Sequence, residues 1–181
     1  MAARGNLNRE GRVFLKSENP ERGPSGASAH WPALVGFIGL CLLVGAADAA
    51  VTQSATRAWY LSLAAPPGTP PTWLFAPVWT VLYVLMGTAA WLVWRRPGHR
   101  RPLLLWGWQL LANAAWNPVF FGLHATGPAL ALILALVVLV GLTTAAFARR
   151  RRAAGVLLFP YLLWTCYAAY LNAGFWWLNP G

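Results

Sequence analysis

The chain has 181 residues, of which 58% are hydrophobic and only 10% are charged, and its mean hydropathy is +0.50. Soluble domains carry about 25% charged residues, so this composition excludes an ordinary water-soluble fold. The formal net charge of +10 could indicate a nucleic-acid partner. The basic residues cluster between apolar stretches, however, which favours contact with membrane lipid and no nucleic acid.

The first 30 residues are rich in Arg, Glu, Gly, Pro and Ser and contain three of the four carboxylates. They show no apolar periodicity, which predicts a disordered polar tail over residues 1–30. This tail does not resemble a secretory signal, because the first long apolar stretch begins only at Trp31, has the length of a span and shows no evident cleavage site.

Five apolar stretches are long enough to cross about 30 Å of hydrocarbon at 1.5 Å per residue. The predicted fold class is therefore an all-α membrane protein, with a five-transmembrane-helix bundle in residues 31–181. The helices are expected at about residues 31–50, 73–94, 102–122, 128–148 and 154–177.

The basic residues support the five-helix prediction. Five of the 14 Lys and Arg residues lie in the tail, four between helices two and three, and four at residues 149–152. With five spans these regions share one side, and Arg57 alone lies on the other. The positive-inside rule then predicts a multi-pass protein with a cytoplasmic amino terminus and an outer carboxyl terminus. Anionic lipid headgroups are the expected contacts of the basic loops.

The connection between helices one and two, WYLSLAAPPGTPPTW at residues 59–73, contains four Pro residues and one Gly. Such a run cannot continue a helix. It predicts a stiff, folded-back lid at the outer surface, although an interfacial anchor belt would have the same composition. The candidate lid residues are Trp59, Tyr60, Pro66, Pro70 and Pro71.

Three predicted helices carry aromatic and amide side chains at a spacing that places them on one face. Lipid would leave Gln109 and Asn113 without hydrogen-bond partners, so these faces are expected to point into the bundle. The stripes are Trp79, Tyr83 and Met86 on helix two; Trp106, Gln109, Asn113, Trp116 or Asn117, and Phe120 on helix three; and Tyr161, Trp164, Ala168, and Leu171 or Asn172 on helix five.

Converging aromatic stripes with a few neutral amides predict a pocket for a flat, mostly apolar ligand, although ordinary helix packing could produce the same pattern. The candidate ligand-binding residues are Trp79, Tyr83, Asn113, Trp116, Phe120, Tyr161, Trp164, Ala168 and Leu171.

No metal site and no hydrolytic catalytic group is predicted. The three His residues lie near helix ends or in loops, and Cys41 and Cys166 lie inside apolar runs, where a small buried hydrophobe is the default. Asp48 is the only carboxylate after position 21, near the outer end of helix one. It is either a functional intramembrane acid or a group close enough to the outer surface to be hydrated or to meet Arg57.

Four sequence blocks follow one another between Trp59 and Asn172. They are WYLSL with the later Pro70–Pro71 pair, FAPVWTVLYVLMG at 75–87, QLLANAAWNPVFFG at 109–122 and PYLLWTCYAAYLN at 160–172. In order and composition they resemble the TspO/MBR family of tryptophan-rich sensory proteins and translocator proteins, also called peripheral-type benzodiazepine receptors.

The resemblance implies a five-helix bundle, often dimeric, that binds porphyrins such as protoporphyrin IX. It maps the family's pocket onto Trp79, Asn113, Trp116, Trp164 and Ala168. No cofactor is required on this view, and the porphyrin, metal-free or as haem, is the ligand. Only Cys41, Met86 and Cys166 could donate to a haem iron from mid-membrane, so stacking and amide contacts are expected instead.

Several roles follow from the resemblance. The first is tetrapyrrole transport, sensing or stress regulation without catalysis. The second is a light-dependent porphyrin-degrading enzyme, with Trp79 and Trp164 as the candidate catalytic residues. The third is a sterol- or lipid-binding translocator, for which the sequence offers little because no basic residue follows Arg152. A membrane scaffold whose Trp residues only anchor it stays open as well.

Two positions depart from the family pattern in the lid. Ala65 and Gly68 stand where the family commonly has Lys and Trp, so one cation and one stacking surface are missing at the predicted pocket mouth. Affinity for dicarboxylic tetrapyrroles is therefore expected to be reduced, or the propionates to bind Arg57 instead. On helix four, Gly141 and Ala145 form a small-residue pair that allows a homodimer.

Overall fold

The computed structural model describes residues 30–54 and 56–180, and the side chains of residues 53–57 lie outside its description. The predicted tail over residues 1–30 also lies outside the described residues, apart from His30. Six α-helices and one π-helical turn make up most of the described chain, which contains no strand. They are α1 (Trp31–Ser54), α2 (Thr56–Ser62), α3 (Thr72–Trp94), α4 (Arg100–Asn117), the π-helical turn (Pro118–Gly122), α5 (Thr126–Arg150) and α6 (Arg152–Leu178).

Four helices in the described part of the chain are long and apolar enough to cross a membrane, namely α1, α3, α5 and α6. The all-helical membrane fold is therefore confirmed, whereas the count of five spans is not. The remaining predicted span corresponds to α4, which is less apolar because it carries Arg100, Arg101, Gln109, Asn113 and Asn117.

The third predicted helix, at 102–122, is not one uniform α-helix. Pro118 has no backbone N–H to donate to the carbonyl of Ala114, and from this residue the chain winds into the wider π-helical turn. The N–H of Leu123 donates to the carbonyl of Pro118 at 2.9 Å. His124, with φ at 55°, then ends the segment in a left-handed conformation.

The connection after α1 begins as a helix, so the prediction that no helix runs from Trp59 was wrong for its first residues. Helix α2 includes Trp59 and Tyr60 and ends at Ser62, whose hydroxyl donates to the carbonyl of Trp59 at 2.7 Å. The residues that exclude a helix begin only with Pro66. We call the stretch between the helices, Leu63–Pro71, the Pro-rich segment.

Helix α1 packs closely against α3 at two glycines. A Cβ added to Gly87 of α3 would lie 2.6 Å from the Cα of Ile38, so the two backbones touch at this level. About two turns further along α1, Gly45 leaves room for the Tyr83 ring. Close helix approach through small residues is common in membranes, where packing replaces the hydrophobic driving force.

Helix α5 buries one face against α4 and α6. The buried residues recur every three or four positions from Ala129 through Ile133, Leu136 and Val140 to Phe147. Leu134, Val138 and Leu142 on the opposite face are exposed. Helix α5 therefore contributes one face to the core, while its opposite face is exposed.

The two basic connections of the described chain lie at the same end of the helices. Arg150, at the end of α5, donates from Nη1 to the carbonyl of Pro97 in the α3–α4 connection at 3.2 Å. Gly98 follows with φ at 71°, a conformation that an L side chain rarely adopts. Arg95 also lies over the Trp91 ring, 4.8 Å from its centroid.

We expect Gly87→Ala to lower the free energy of unfolding by about 1–3 kcal/mol, because the added methyl group would collide with the backbone of α1. Gly107→Ala is the matched control, since a Cβ there meets nothing within 4 Å. Thermal unfolding in detergent, followed by circular dichroism, measures both variants. Equal midpoints for the two would contradict the close α1–α3 packing.

Candidate functional site

A chain of polar side chains crosses the interior from α1 to α6. The Tyr83 hydroxyl of α3 lies 3.1 Å from Oδ2 of Asp48 on α1 and 2.8 Å from Oδ1 of Asn113 on α4. The amide Nδ2 of Asn113 lies 3.1 Å from the hydroxyl of Tyr161 on α6. All four side chains are buried, so hydrogen bonding to one another replaces the water that hydrocarbon excludes. We call these four residues the polar chain.

Above and below the polar chain, other amides also find partners. Gln109 donates to the sulfur of Met86 at 3.2 Å, but its Oε1 is buried and has no hydrogen-bond partner in the described part of the chain. Nearer the π-helical turn, the indole of Trp116 donates to Asn172 at 3.0 Å. The Asn172 amide in turn donates to the carbonyl of Thr126 at 2.8 Å. The amides thus tie α4, α5 and α6 together.

Aromatic rings surround the π-helical turn. Phe120 lies at the centre, with its ring centroid 5.4 Å from Trp116 and 5.8 Å from Trp59. Tyr60 contacts Phe175 of α6 at 5.1 Å, so α2 closes over this end of the helices. Burial raises the pKa of the Tyr60 hydroxyl above its ordinary value, with a smaller contribution from nearby Tyr167. Tyr60 therefore stays neutral.

The Pro-rich segment is held against the last turns of α6. Tyr167 and Tyr170 donate from their hydroxyls to the carbonyls of Gly68 and Pro67. Asn179 pairs with Ala64 in both directions, with distances of 2.8 and 3.1 Å. The segment therefore covers the C-terminal part of α6, to which its backbone groups are hydrogen-bonded.

Two residues of the Pro-rich segment have special surroundings. Pro66 is buried, and a Cβ added to Gly174 would lie 2.5 Å from the Cβ of Pro66. Gly68 has φ at 82°, which an L residue such as Trp would adopt only with strain. The positive φ at this position therefore favours the glycine that stands where the resemblance leads one to expect Trp.

An apolar groove of about 780 Å³ runs between α3 and α6 on the outside of the helices. Its α3 side extends from Trp73 to Leu85, and its α6 side consists of Pro160, Leu163, Trp164 and Tyr167. Pro77 and Pro160 both line it, and each removes one backbone hydrogen bond from its helix. The volume is in the range of small-molecule sites, about 300–1,000 Å³.

Trp164 connects this groove with the interior. Its ring lines the groove and lies 6.1 Å from Phe75, but its indole N–H is buried and has no hydrogen-bond partner among the described residues. Buried indole N–H groups usually find an acceptor. The missing acceptor makes Trp164 a candidate to bind a ligand with a polar edge.

The predicted binding residues fall into two neighbouring groups. Tyr83, Asn113 and Tyr161 belong to the polar chain, and Trp79 contacts both tyrosine rings, with centroids 5.6 and 6.2 Å away. Ala168 lies in the same core as Trp164. The group near the π-helical turn is Trp116, Phe120 and Leu171, together with the lid residues Trp59 and Tyr60. Pro70 and Pro71 lie at the start of α3.

Sequence reasoning missed the groove and the residues that hold the Pro-rich segment. Tyr167 lies three positions after Trp164 on the same helix face, which could have indicated it. Asn179 carried no signal, because its partner Ala64 is 115 positions away. Asp48 accepts a hydrogen bond from Tyr83 and is buried. The contact with Arg57 is untested, since that side chain lies outside the description.

Fold and site together define an all-helical integral membrane protein whose described interior is lined by aromatic rings and bridged by buried polar side chains. The model of the TspO/MBR family matches residues 37–178, so the chain belongs to this family. The resemblance stated from the four sequence blocks is thereby confirmed.

Named relatives support the assignment over most of the chain. The tryptophan-rich protein TspO of Chlorobaculum tepidum is 40% identical over 147 residues, which cover 79% of this chain and 93% of that protein. The translocator protein of Bos taurus is 37% identical, with coverage of 81% and 89%. The tryptophan-rich sensory protein of Cereibacter sphaeroides is 40% identical over 114 residues, which cover 63% of this chain and 72% of that protein.

We expect Asn113→Leu to lower the free energy of unfolding by about 1–3 kcal/mol, because it leaves the buried hydroxyls of Tyr83 and Tyr161 without their shared partner. Leu111→Ala, on the exposed face of α4, is the control and should change stability little. Denaturation by titration with an unfolding detergent compares them. Wild-type stability of Asn113→Leu would mean that the amide contributes no net stabilisation.

Proposed function

We propose that this protein binds a porphyrin or related flat tetrapyrrole and serves its transport, its sensing or a stress response to it. The relatives carry the names translocator protein and tryptophan-rich sensory protein, which are consistent with movement or detection of a ligand. The ligand class follows from the family resemblance and from the chemistry of the site. A rigid aromatic ring system with polar edges suits facing Trp rings and neutral amides.

The observation that carries this proposal is the position of Trp164. Its ring borders the groove on the outside of the helices, while its N–H is buried and has no hydrogen-bond partner among the described residues. A flat ligand that enters between α3 and α6 would stack on this indole. A polar atom at the ligand's edge would accept its hydrogen bond. Trp79, in contact with Tyr83 and Tyr161, would then form the inner wall of the site.

The Pro-rich segment is proposed to act as the lid of this site. It is attached to α6 through Tyr167, Tyr170 and Asn179, and Tyr167 also lines the groove. A ligand that displaced the Tyr167 ring would therefore loosen the hydrogen bond to Gly68. This contact couples occupation of the groove to release of the segment.

We also propose five membrane spans, with α4 and its π-helical turn as the fifth. This continuous segment runs from Arg100 to Gly122, and its polar residues Gln109 and Asn113 are buried within the helices rather than exposed to lipid. The arginine-rich connections would then lie in the cytoplasm, with the amino terminus, and the carboxyl terminus outside.

A homodimer through α5 is a further part of the proposal. A Cβ added to Gly141 would meet nothing within 4 Å, and Ala145 on the next turn is exposed. The pair leaves a shallow surface on which a second helix could lie closely.

Light-dependent degradation of the bound porphyrin is a second candidate function. It is favoured by the ring contacts of Trp79 with Tyr83 and Tyr161, which link the proposed inner wall of the site to two oxidisable side chains. An excited porphyrin could take an electron from such a wall. Binding alone does not need this arrangement, so illumination distinguishes the two functions.

We expect protoporphyrin IX to quench the tryptophan fluorescence of the purified protein saturably. Trp164→Phe should raise the dissociation constant about two- to tenfold, because it keeps an aromatic ring for stacking but removes the indole N–H donor. The matched control is Trp108→Phe, an exposed indole on α4. Linear quenching in the wild type, or equal constants for both variants, would argue against the proposed site.

Under illumination, the carrier function predicts a stable porphyrin absorption spectrum. Degradation predicts progressive loss of the Soret band in the wild type and its persistence in Trp79→Phe, with binding retained in both. The same titrated samples serve for this measurement, with a dark incubation as the control. Loss at the same rate in Trp79→Phe would remove Trp79 from any degradation mechanism.

A further inference from the structure

Asp48 is the only carboxylate among the described residues, and it lies inside the helix packing rather than at the surface. Its residual exposure is 9%, and the hydroxyl of Tyr83 is 3.1 Å from its Oδ2. The other three carboxylates of the chain, Glu10, Glu18 and Glu21, precede the first helix. An ionisable group within a span is expensive to keep and usually has a function.

The described side chains that face Asp48 are tyrosine hydroxyls, one thiol and one amide. From α3 the titratable neighbour is Tyr83, from α6 it is Tyr161 at the far end of the polar chain, and α1 itself contributes Cys41. Helix α4 contributes the neutral amide of Asn113. Among the side chains that the structure describes, no cation lies in the polar chain.

The Tyr83 hydroxyl has more hydrogen-bond acceptors within reach than it has protons to donate. Tyr83 lies within hydrogen-bond distance of two acceptors, Asp48 and Asn113, but has a single proton and can donate to only one of them at a time. The orientation of the Asn113 amide is set by the hydrogen bonds around it. Two complete arrangements of the chain are therefore available, and the charge of Asp48 selects between them.

With Asp48 ionised, every donor points towards it. Tyr83 then donates to the carboxylate. The Asn113 amide is turned over relative to the structure, so that its N–H donates to Tyr83 and its carbonyl accepts from Tyr161. With Asp48 protonated, the direction reverses: the carboxyl donates to Tyr83, Tyr83 donates to Asn113, and Asn113 donates to Tyr161. In the second arrangement the buried Tyr161 hydroxyl keeps a proton with no acceptor in the chain.

We propose that Asp48 determines which hydrogen-bonding group Tyr161 presents to a ligand, so that ligand binding is linked to uptake of one proton. This inference rests on the proposed function, since the ligand would occupy the site beside Trp79, whose ring centroid lies 6.2 Å from that of Tyr161. Asp48 is here a positioning residue, because it acts through Tyr83 and Asn113. The ligand chemistry it favours is an acceptor oxygen, such as a carboxyl or carbonyl.

The sign of the pH effect follows from the two arrangements. An acceptor-bearing ligand pairs with the free Tyr161 proton only when Asp48 is protonated, so its affinity rises as the pH falls through the titration of Asp48. By reciprocity, the bound ligand shifts Asp48 towards its protonated form. The expected change in affinity across the titration is about three- to tenfold, as for one hydrogen bond.

The chain reversal can be tested without any ligand. Infrared difference spectra of the full-length protein across a pH titration should show a protonated-carboxyl band that is absent in Asp48→Asn and present in Glu18→Gln. The phenol C–O band assigned by Tyr161→Phe should shift together with it. A Tyr161 band that does not respond while the Asp48 carboxyl titrates would overturn the inference.

Protoporphyrin IX binding then tests the link to the ligand. The wild-type affinity should rise with falling pH relative to Asp48→Asn, measured at the same pH values because the porphyrin's own carboxyls also titrate. Tyr161→Phe should remove this excess dependence while its Asp48 carboxyl still titrates, and Glu18→Gln should retain it. The same pH dependence in wild type and both site variants would overturn the link.

The two proposals can fail separately. Absence of saturable porphyrin binding at every pH would defeat the proposed function, while the infrared titration would still decide whether Asp48 reverses the chain. Saturable binding with an unresponsive Tyr161 band would keep the proposed function and defeat the present inference.

Discussion

The requirement that polar groups be satisfied inside hydrocarbon governs this structure. The four residues of the polar chain come from four different helices, and each lies within hydrogen-bond distance of the next. Any helix that moved out of register would leave at least one of these groups buried and unpaired, at a cost of about 1–3 kcal/mol. The polar chain therefore fixes the relative positions of α1, α3, α4 and α6 more specifically than aliphatic packing could.

The same requirement explains why the site and the scaffold share residues. The helix faces that bury amides also collect the aromatic rings, since both must avoid lipid or find partners within the protein. Where the amides are paired, as at Trp116 and Asn172, the result is structural. Among the described residues, a few buried polar atoms stay unpaired, including the indole N–H groups of Trp106 and Trp164 and Oε1 of Gln109. The proposed binding site uses one of them, the Trp164 indole.

The two ends of the helices differ in construction. One end carries arginines, and the Arg150 side chain ties its connections together by donating to the carbonyl of Pro97. The other end is closed by α2, the π-helical turn and the Pro-rich segment, which are joined by ring contacts and by hydrogen bonds to α6. The closed end thus carries the segment proposed as a lid, and the basic end is the one proposed to contact anionic lipid headgroups.

Much of this protein could be predicted from residue order. Hydropathy and length fixed four spans and the approximate bounds of α4, and helical spacing identified Gln109, Asn113 and Tyr161 as inward-facing, because lipid cannot pair with amides. The π-helical turn after Pro118 could only be seen in three dimensions. The same is true of α2, of the hydrogen bond between Tyr83 and Asp48, and of the paired hydrogen bonds between Asn179 and Ala64. These features depend on which distant residues meet, and spacing along one helix contains no information about the distance to another.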